Sequence, residues 1–273
     1  MSLSRTRVRE LLDTHQLAPS RALGQNFLCD GAMVGKIVRL AELASGDPVL
    51  EIGPGLGSLT LGLCAAEAEV TAVEVDKYLI PALREVVGHH ESDGDVRILN
   101  ADVRDLDWAE VLGERTWTVV ANLPYNIATP LILDLLVAQP QLRRWLVMVQ
   151  REAGERLVAG PGSKTYGIPS VLLAYWAQAR IVGSVPAEVF LPKPNVESVL
   201  VRIDRSQEPR VEADFERLST LVRTGFGQRR KMLRRSLSNL VTPEQFEQAE
   251  IDPAARPEEL GVEQWGQLAR FAP

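Results

Sequence analysis

Cysteine and histidine are scarce in this chain, and that scarcity excludes two classes at once. Cys29 and Cys64 are the only cysteines, and His15, His89 and His90 the only histidines, among 273 residues. Two cysteines cannot staple a disulfide scaffold, and so sparing a use of them fits a reducing compartment. At these spacings the five residues do not make a zinc site, so no metal is expected. Long apolar runs are missing as well. No stretch of about eighteen uncharged apolar residues occurs, which excludes a membrane-spanning helix. The opening residues MSLSRTRVRELLD carry basic side chains with no apolar segment behind them, unlike a secretory leader. Internal repeats and low-complexity tracts are also absent. The expectation is a soluble, cytoplasmic, metal-free protein.

What is present suits one large domain and a small one. Apolar residues make up 45% and charged residues 24%, enough apolar material for a core and too little net charge for disorder. The net charge of −6 argues against a nucleic-acid partner only until it is divided along the chain. Arg223, Arg229, Arg230, Lys231, Arg234 and Arg235 fall within residues 223–236 with no acid among them. Seven acids, from Glu244 to Glu263, follow with Arg256 as the one cation. Fields act over about 10 Å, so the local balance decides what a surface binds.

Strand-like and helix-like segments alternate from residue 48 onward. PVLEIG, VTAVEVD, DVRILNAD, TWTVVANLP, RRWLVMVQ and VESVLVRID read as strands, with amphipathic segments between them. That alternation indicates βαβ units and a mostly parallel sheet. Past RSQEPRVEAD the pattern turns helical, which predicts an α/β domain over 1–205 and a helical domain over 206–273.

Two motifs carry chemistry. GPGLG at 53–57 lies between a strand and a helix, where glycines let backbone approach a ligand. Glu51, Glu74 and Asp102 stand at successive strand ends; Glu74 is placed to accept from ribose hydroxyls and Asp102 from an adenine amine. Three acids suit a cationic adenosyl ligand better than a pyrophosphate, although a glycine turn alone also admits a nicotinamide cofactor. The second motif, NLPY at 122–125, ends the fourth strand. The exocyclic amine of adenine is a poor nucleophile because its lone pair is delocalised into the ring. The Asn122 side-chain oxygen and the Leu123 carbonyl, both accepting from that amine, favour a pyramidal nitrogen whose lone pair points at a methyl on sulfonium. Pro124 stiffens the turn and Tyr125 offers a stacking face. Phe190, on the proline-rigid VFLPKPN segment, would alone read as a core plug, but with Tyr125 as a partner it reads as the second ring of a base clamp.

With these motifs the chain resembles the KsgA-type small-subunit ribosomal RNA adenine dimethyltransferases. The carriers are LGQNFLCD (23–30), VLEIGPGLGSLT (49–60), AVEVD (72–76), NADV (100–103), NLPYNIATPLI (122–132), VAGPGSKTYG (158–167), VFLPKPNVES (189–198) and GFGQRRKMLRRSL (225–237). The resemblance implies a Rossmann-like, seven-stranded methyltransferase domain, a small all-helical C-terminal domain, and S-adenosylmethionine as donor. The family's donor positions fall on Asn26, Leu28, Gly53, Glu74, Asp102 and Asn122. Its target-adenine positions fall on Asn122, Leu123 and Tyr125, with Phe190 as the second ring. The implied reaction is dimethylation of N6 on two adjacent adenosines near the 3′ end of 16S rRNA, by a monomer acting on the 30S subunit or its precursor during ribosome biogenesis.

The basic segment is expected to form one helix over 225–240, with Leu233, Leu237 and Leu240 turned inward. Arg223, Arg229, Arg230, Lys231, Arg234 and Arg235 are then the candidate phosphate contacts. Three other readings compete: a sister enzyme acting on large-subunit RNA, a non-catalytic assembly or transcription factor on the same fold, and a dehydrogenase. Intact NLPY and Glu74 count against the non-catalytic reading, and NLPY with the lack of a suitable hydride-site His or Lys counts against the dehydrogenase.

Overall fold

The computed structural model describes residues 2–271, apart from the side chain of Ser92. Among them are nine strands: β1 (Phe27–Leu28), β2 (Pro48–Ile52), β3 (Glu69–Glu74), β4 (Val96–Asn100), β5 (Trp117–Asn122), β6 (Leu142–Gln150), β7 (Ala177–Val185), β8 (Phe190–Leu191) and β9 (Ser198–Arg205). Seven form one sheet in the order β4-β3-β2-β5-β6-β9-β7, while β1 and β8 pair antiparallel. β4, β3, β2, β5 and β6 run parallel. Their sequences are continuous apolar runs because both faces are covered: Val49, Leu50, Val119, Val120 and Trp145 to Val149 are essentially inaccessible.

From β2 the chain steps outward through β3 and β4, then returns to β5 on the other side of β2. The strand order therefore reverses between β2 and β5, and open α/β sheets bind ligands outside the strand ends at such a reversal. Helices Gly31–Ala41 and Ser58–Cys64 contribute Val34, Ile37, Leu59 and Leu63 to the core on one side of the sheet. A smaller cluster joins Val8, Leu11 and Leu12 of helix Arg5–Thr14 to Phe27, Leu56 and Leu79.

The chain divides into two compact units, Met1–Gly154 with Arg180–Ile203, and Glu155–Ala179 with Asp204–Pro273. The second break lies close to 205, but the first unit is not the continuous stretch 1–205. Residues 155–179 belong with the C-terminal residues because of specific contacts. Tyr166 Oη donates to the Leu260 carbonyl at 2.8 Å and Tyr175 Oη to that of Ala213 at 2.6 Å. Tyr175 and Trp176 also pack their rings on Phe215.

In the second unit, helix Phe215–Gly227 starts at Asp214, whose carboxylate accepts from the Arg217 amide. The single helix expected over 225–240 is not formed. It stops at Gly227, and a four-residue helix, Leu233–Ser236, follows an irregular stretch. The amides of Leu233 and Arg234 donate to the carbonyls of Ala255 and Pro253 instead of to a preceding helical turn. The apolar register survives the break: Leu233 and Leu237 are buried and Leu240 is half-buried.

Candidate active site

A cavity of about 260 Å³ opens at the carboxyl ends of β2 to β5. Asn26, Leu28, Gly53, Glu74, Asp102 and Asn122 all line it, together with Leu123 and Tyr125. They come from five separate stretches of chain, and the reversal of strand order is what gathers them. The glycine turn forms one wall. Gly53, Gly55 and Gly57 all have positive φ, and a Cβ on Gly57 would stand 2.8 Å from Leu83 Cδ1. Only glycine adopts that backbone this close to the neighbouring helix without strain.

The three strand-end acids occupy three different environments. Glu74 is 5% exposed; its Oε2 accepts from the Gly55 amide at 3.0 Å and its Oε1 from the Asp76 amide at 2.9 Å. Burial raises its pKa, while these amide bonds oppose the rise by favouring the carboxylate. Asp102 is ion-paired with Arg104, Nη2 to Oδ2 at 2.6 Å, which holds its pKa below the usual range. Glu51 is 1% exposed, and burial pushes its pKa up to about 8 against the Thr60 hydroxyl, which favours the anion. At neutral pH Glu51 is therefore mostly a carboxylic acid, and its Oε2 has no hydrogen-bond partner. It is not a third anion equivalent to the other two.

NLPY closes the opposite wall. Asn122 Nδ2 donates to the Asn26 carbonyl at 3.1 Å, which orients the amide and leaves Oδ1 as the free acceptor. The Leu123 amide donates to Met148, and the Pro124 carbonyl accepts from the amides of Ile127 and Ala128. The turn thus passes directly into helix Ala128–Ala138. Tyr125 Oη shares a hydrogen bond with Ser198 Oγ at 2.6 Å, and burial raises the phenol pKa. Ser198 lies inside the VFLPKPNVES segment, but its anchoring of Tyr125 has no local sequence signal.

Phe190 is not brought into the cavity. Its side chain is 0% exposed and belongs to the main core, and Phe190 pairs with Leu28 across the β1–β8 ladder. In this structure the VFLPKPN segment makes a core plug, not an open ring facing Tyr125. The apolar surroundings of a short strand outweigh the loop character suggested by its prolines.

The basic residues divide as well. Arg229 is committed within its own unit: its guanidinium is paired with Glu258, and Nη2 donates to the Lys164 carbonyl at 3.1 Å. It is therefore a cross-link, not a free phosphate ligand. Arg223 Nε donates to Ser219 Oγ at 3.2 Å. Arg230, Lys231, Arg234 and Arg235 are exposed and have no ion pair among the described residues. No group of three or more His, Cys, Asp or Glu side chains suited to a metal ion occurs among the described residues, and no helix there is long and apolar enough to cross a membrane.

The arrangement matches known proteins over nearly its whole length. The family profile described as ribosomal RNA adenine dimethylase matches residues 18–272. A Kineococcus radiotolerans protein described as ribosomal RNA small subunit methyltransferase A is 44% identical over 277 aligned residues, covering 99% of this chain and 92% of that protein. A protein of Cutibacterium acnes with the same description is 43% identical, covering 96% and 91%. Among solved structures, the 23S rRNA methyltransferase ErmE superposes with a TM-score of 0.70 at 27% identity, covering 90% of this chain and 99% of its own. A dimethyladenosine transferase from Plasmodium falciparum superposes with a TM-score of 0.76 at 23% identity, covering 89% and 95%, and so shares the fold.

Proposed function

The chain belongs to the ribosomal RNA adenine dimethylase family, and from that premise we propose that it is the small-subunit enzyme of the group. It is an S-adenosylmethionine-dependent rRNA adenine methyltransferase. The proposed substrate is a pair of adjacent adenosines near the 3′ end of 16S rRNA, each dimethylated on N6 within the 30S subunit or its precursor, by a cytoplasmic monomer. Identity of 43–44% to small-subunit enzymes, against 27% to ErmE, supports this choice over large-subunit RNA.

The cavity suits the donor. Glu74 and Asp102 are acceptors for a diol and an amine, and apolar Leu28 lines the same cavity. When bound, S-adenosylmethionine supplies an electrophilic methyl on sulfonium. The observation that carries the chemistry is the bond from Asn122 Nδ2 to Asn26, which leaves Oδ1 in the cavity as an acceptor. Asn122 Oδ1 and the Leu123 carbonyl accept from the adenine amine and draw its lone pair out of conjugation. Tyr125 stacks on the base, a contact worth about 1–3 kcal/mol. No strong general base is needed, because the alkylated amine is acidic enough to release its proton to water. Catalysis is then positioning and electrostatics. Arg230, Lys231, Arg234 and Arg235 supply phosphate contacts, which dominate recognition of structured RNA.

Incubation with methyl-labelled donor and under-methylated 30S particles, beside 50S controls, tests the reading. Label mapped to N6,N6-dimethyladenosine at two neighbouring 16S positions is expected. Label confined to 23S rRNA, or none, overturns it.

A further inference from the structure

Ala22 to Leu28 supplies seven consecutive residues of the cavity wall, yet residues 18–26 contain neither helix nor strand. Such a segment keeps its shape through specific hydrogen bonds, and the Gln25 side chain makes two of them, one inside the turn and one out of it. The Gln25 amide donates to the Ser20 carbonyl at 3.1 Å, and Gln25 Oε1 accepts from the Ser20 amide at 2.8 Å. Gln25 thereby closes the turn on itself. Its remaining polar group, Nε2, crosses to Asp76 Oδ2 at 2.7 Å.

Asp76 is bonded on its other sides. Its Oδ1 accepts from the Tyr78 amide at 3.0 Å, and its own amide donates to Glu74 Oε1. A continuous path therefore runs from the Glu74 carboxylate through Asp76 and Gln25 to Asn26, whose carbonyl holds Asn122. Among the described residues, only three hydrogen bonds tie residues 18–26 to the rest of the unit: Gln25 to Asp76, Asn122 to Asn26, and a longer one from Asn126 Nδ2 to the Ala22 carbonyl at 3.4 Å. The first has an anionic acceptor, the stronger kind.

We propose that Gln25 and Asp76 form a latch that holds the segment 20–28 closed along the donor cavity, making both of them positioning residues for donor binding. The proposal rests on the donor-site reading above. Neither side chain needs to touch the donor; Gln25 sets the place of Asn26 and Leu28, and Asp76 sets that of the Glu74 carboxylate. Loss of the latch raises the rate at which donor leaves; donor bound at saturation, lying against Asn26 and Leu28, itself holds Asn26 and so Asn122 in place, and the transfer step then changes little.

The test is a charge-neutral exchange in the full chain. Gln25→Glu sets two carboxylates against each other and opens the latch. Adding Asp76→Asn restores the bond with its direction reversed, because the new amide at 76 donates to the new carboxylate at 25. The Ser20 and Tyr78 amides keep their acceptors in the double variant. Calorimetry with S-adenosylmethionine, donor chase kinetics and methyl transfer to 30S at saturating donor are the readouts. Gln25→Glu is expected to weaken donor binding about tenfold or more, with kcat held within about twofold. The double variant is expected to recover most of the affinity. Unchanged affinity in Gln25→Glu, or a double variant no tighter than the weaker single one, overturns the latch. Gln25→Ala, which removes the bond without adding charge, serves if the charged variant does not fold, and wild-type affinity there overturns the latch too. Glu74→Ala is the control for the donor site itself: binding as tight as wild type overturns the donor-site reading and the latch with it.

Discussion

Glu51 and Glu74 lie on adjacent strands, both buried, and differ in what their oxygens meet. Glu74 has two backbone amides and stays an acceptor at the cavity wall; Glu51 has an unpartnered oxygen and a pKa near 8. Their sequence positions made them look equivalent, since both end strands of the same half-sheet. Hydrogen-bond partners are set by packing, and no local pattern reveals them. The difference predicts a pH dependence of stability. In the unfolded chain Glu51 ionises near its ordinary value of 4.5, whereas in the fold it holds its proton to about 8. Stability from this group is therefore complete below pH 4.5 and is lost as pH rises from there to about 8. The loss is about 3 kcal/mol at pH 7. Glu51→Gln removes the dependence, so its melting temperature should gain on wild type steadily between pH 5 and 8. Parallel curves for the two proteins would show that Glu51 ionises normally. Glu74→Gln is expected to behave differently. Both Glu74 oxygens accept from amides, so an –NH2 must face a backbone N–H. Donor affinity measured by calorimetry should fall about tenfold or more, and unchanged affinity would remove Glu74 from the site.

Elements whose backbone needs a particular residue were the most legible. GPGLG demands positive φ at three positions, and NLPY places a proline at a strand-to-helix turn, so both could be read before the fold was known. β7 could not. Its residues, AQARIVGSV, lie at the sheet edge with a mixed burial pattern and a glycine at 183, so neither strict alternation nor a buried apolar run marks it. The basic segment misled for a related reason. Leu233, Leu237 and Leu240 have helical spacing, but the tertiary bonds to Pro253 and Ala255 outcompete the helix through residues 228–232. Arg229 likewise carries the charge expected of a phosphate ligand and is spent on Glu258. Replacing Arg230, Arg234 and Arg235 by Gln, with Arg229 intact, should lower 30S affinity and flatten its salt dependence. The expected flattening is about 0.7–0.9 units of log–log slope per lost contact. Titrations at several salt concentrations measure it, and identical slopes would end the RNA role of these three residues. Arg229→Gln alone should chiefly lower the melting temperature.

At the scale of the whole molecule, the alternation of strands and helices made the α/β class legible, and the change of pattern near 205 marked the start of helical sequence. The grouping of 155–179 with the C-terminal residues was not legible, because it depends on hydroxyls of Tyr166 and Tyr175 reaching carbonyls far along the chain. The gathering of the site follows from strand order alone. β2 and β5 are neighbours across the reversal, so the glycine turn and NLPY face one cavity although about seventy residues of chain separate them. In the proposed mechanism Asn122, held by Asn26, orients the adenine amine within that cavity. Single-turnover methyl transfer by Asn122→Ala, with saturating donor and pre-bound 30S, tests it most directly. The rate should fall about a hundredfold or more while 30S affinity stays that of wild type. A near-normal rate would contradict the account.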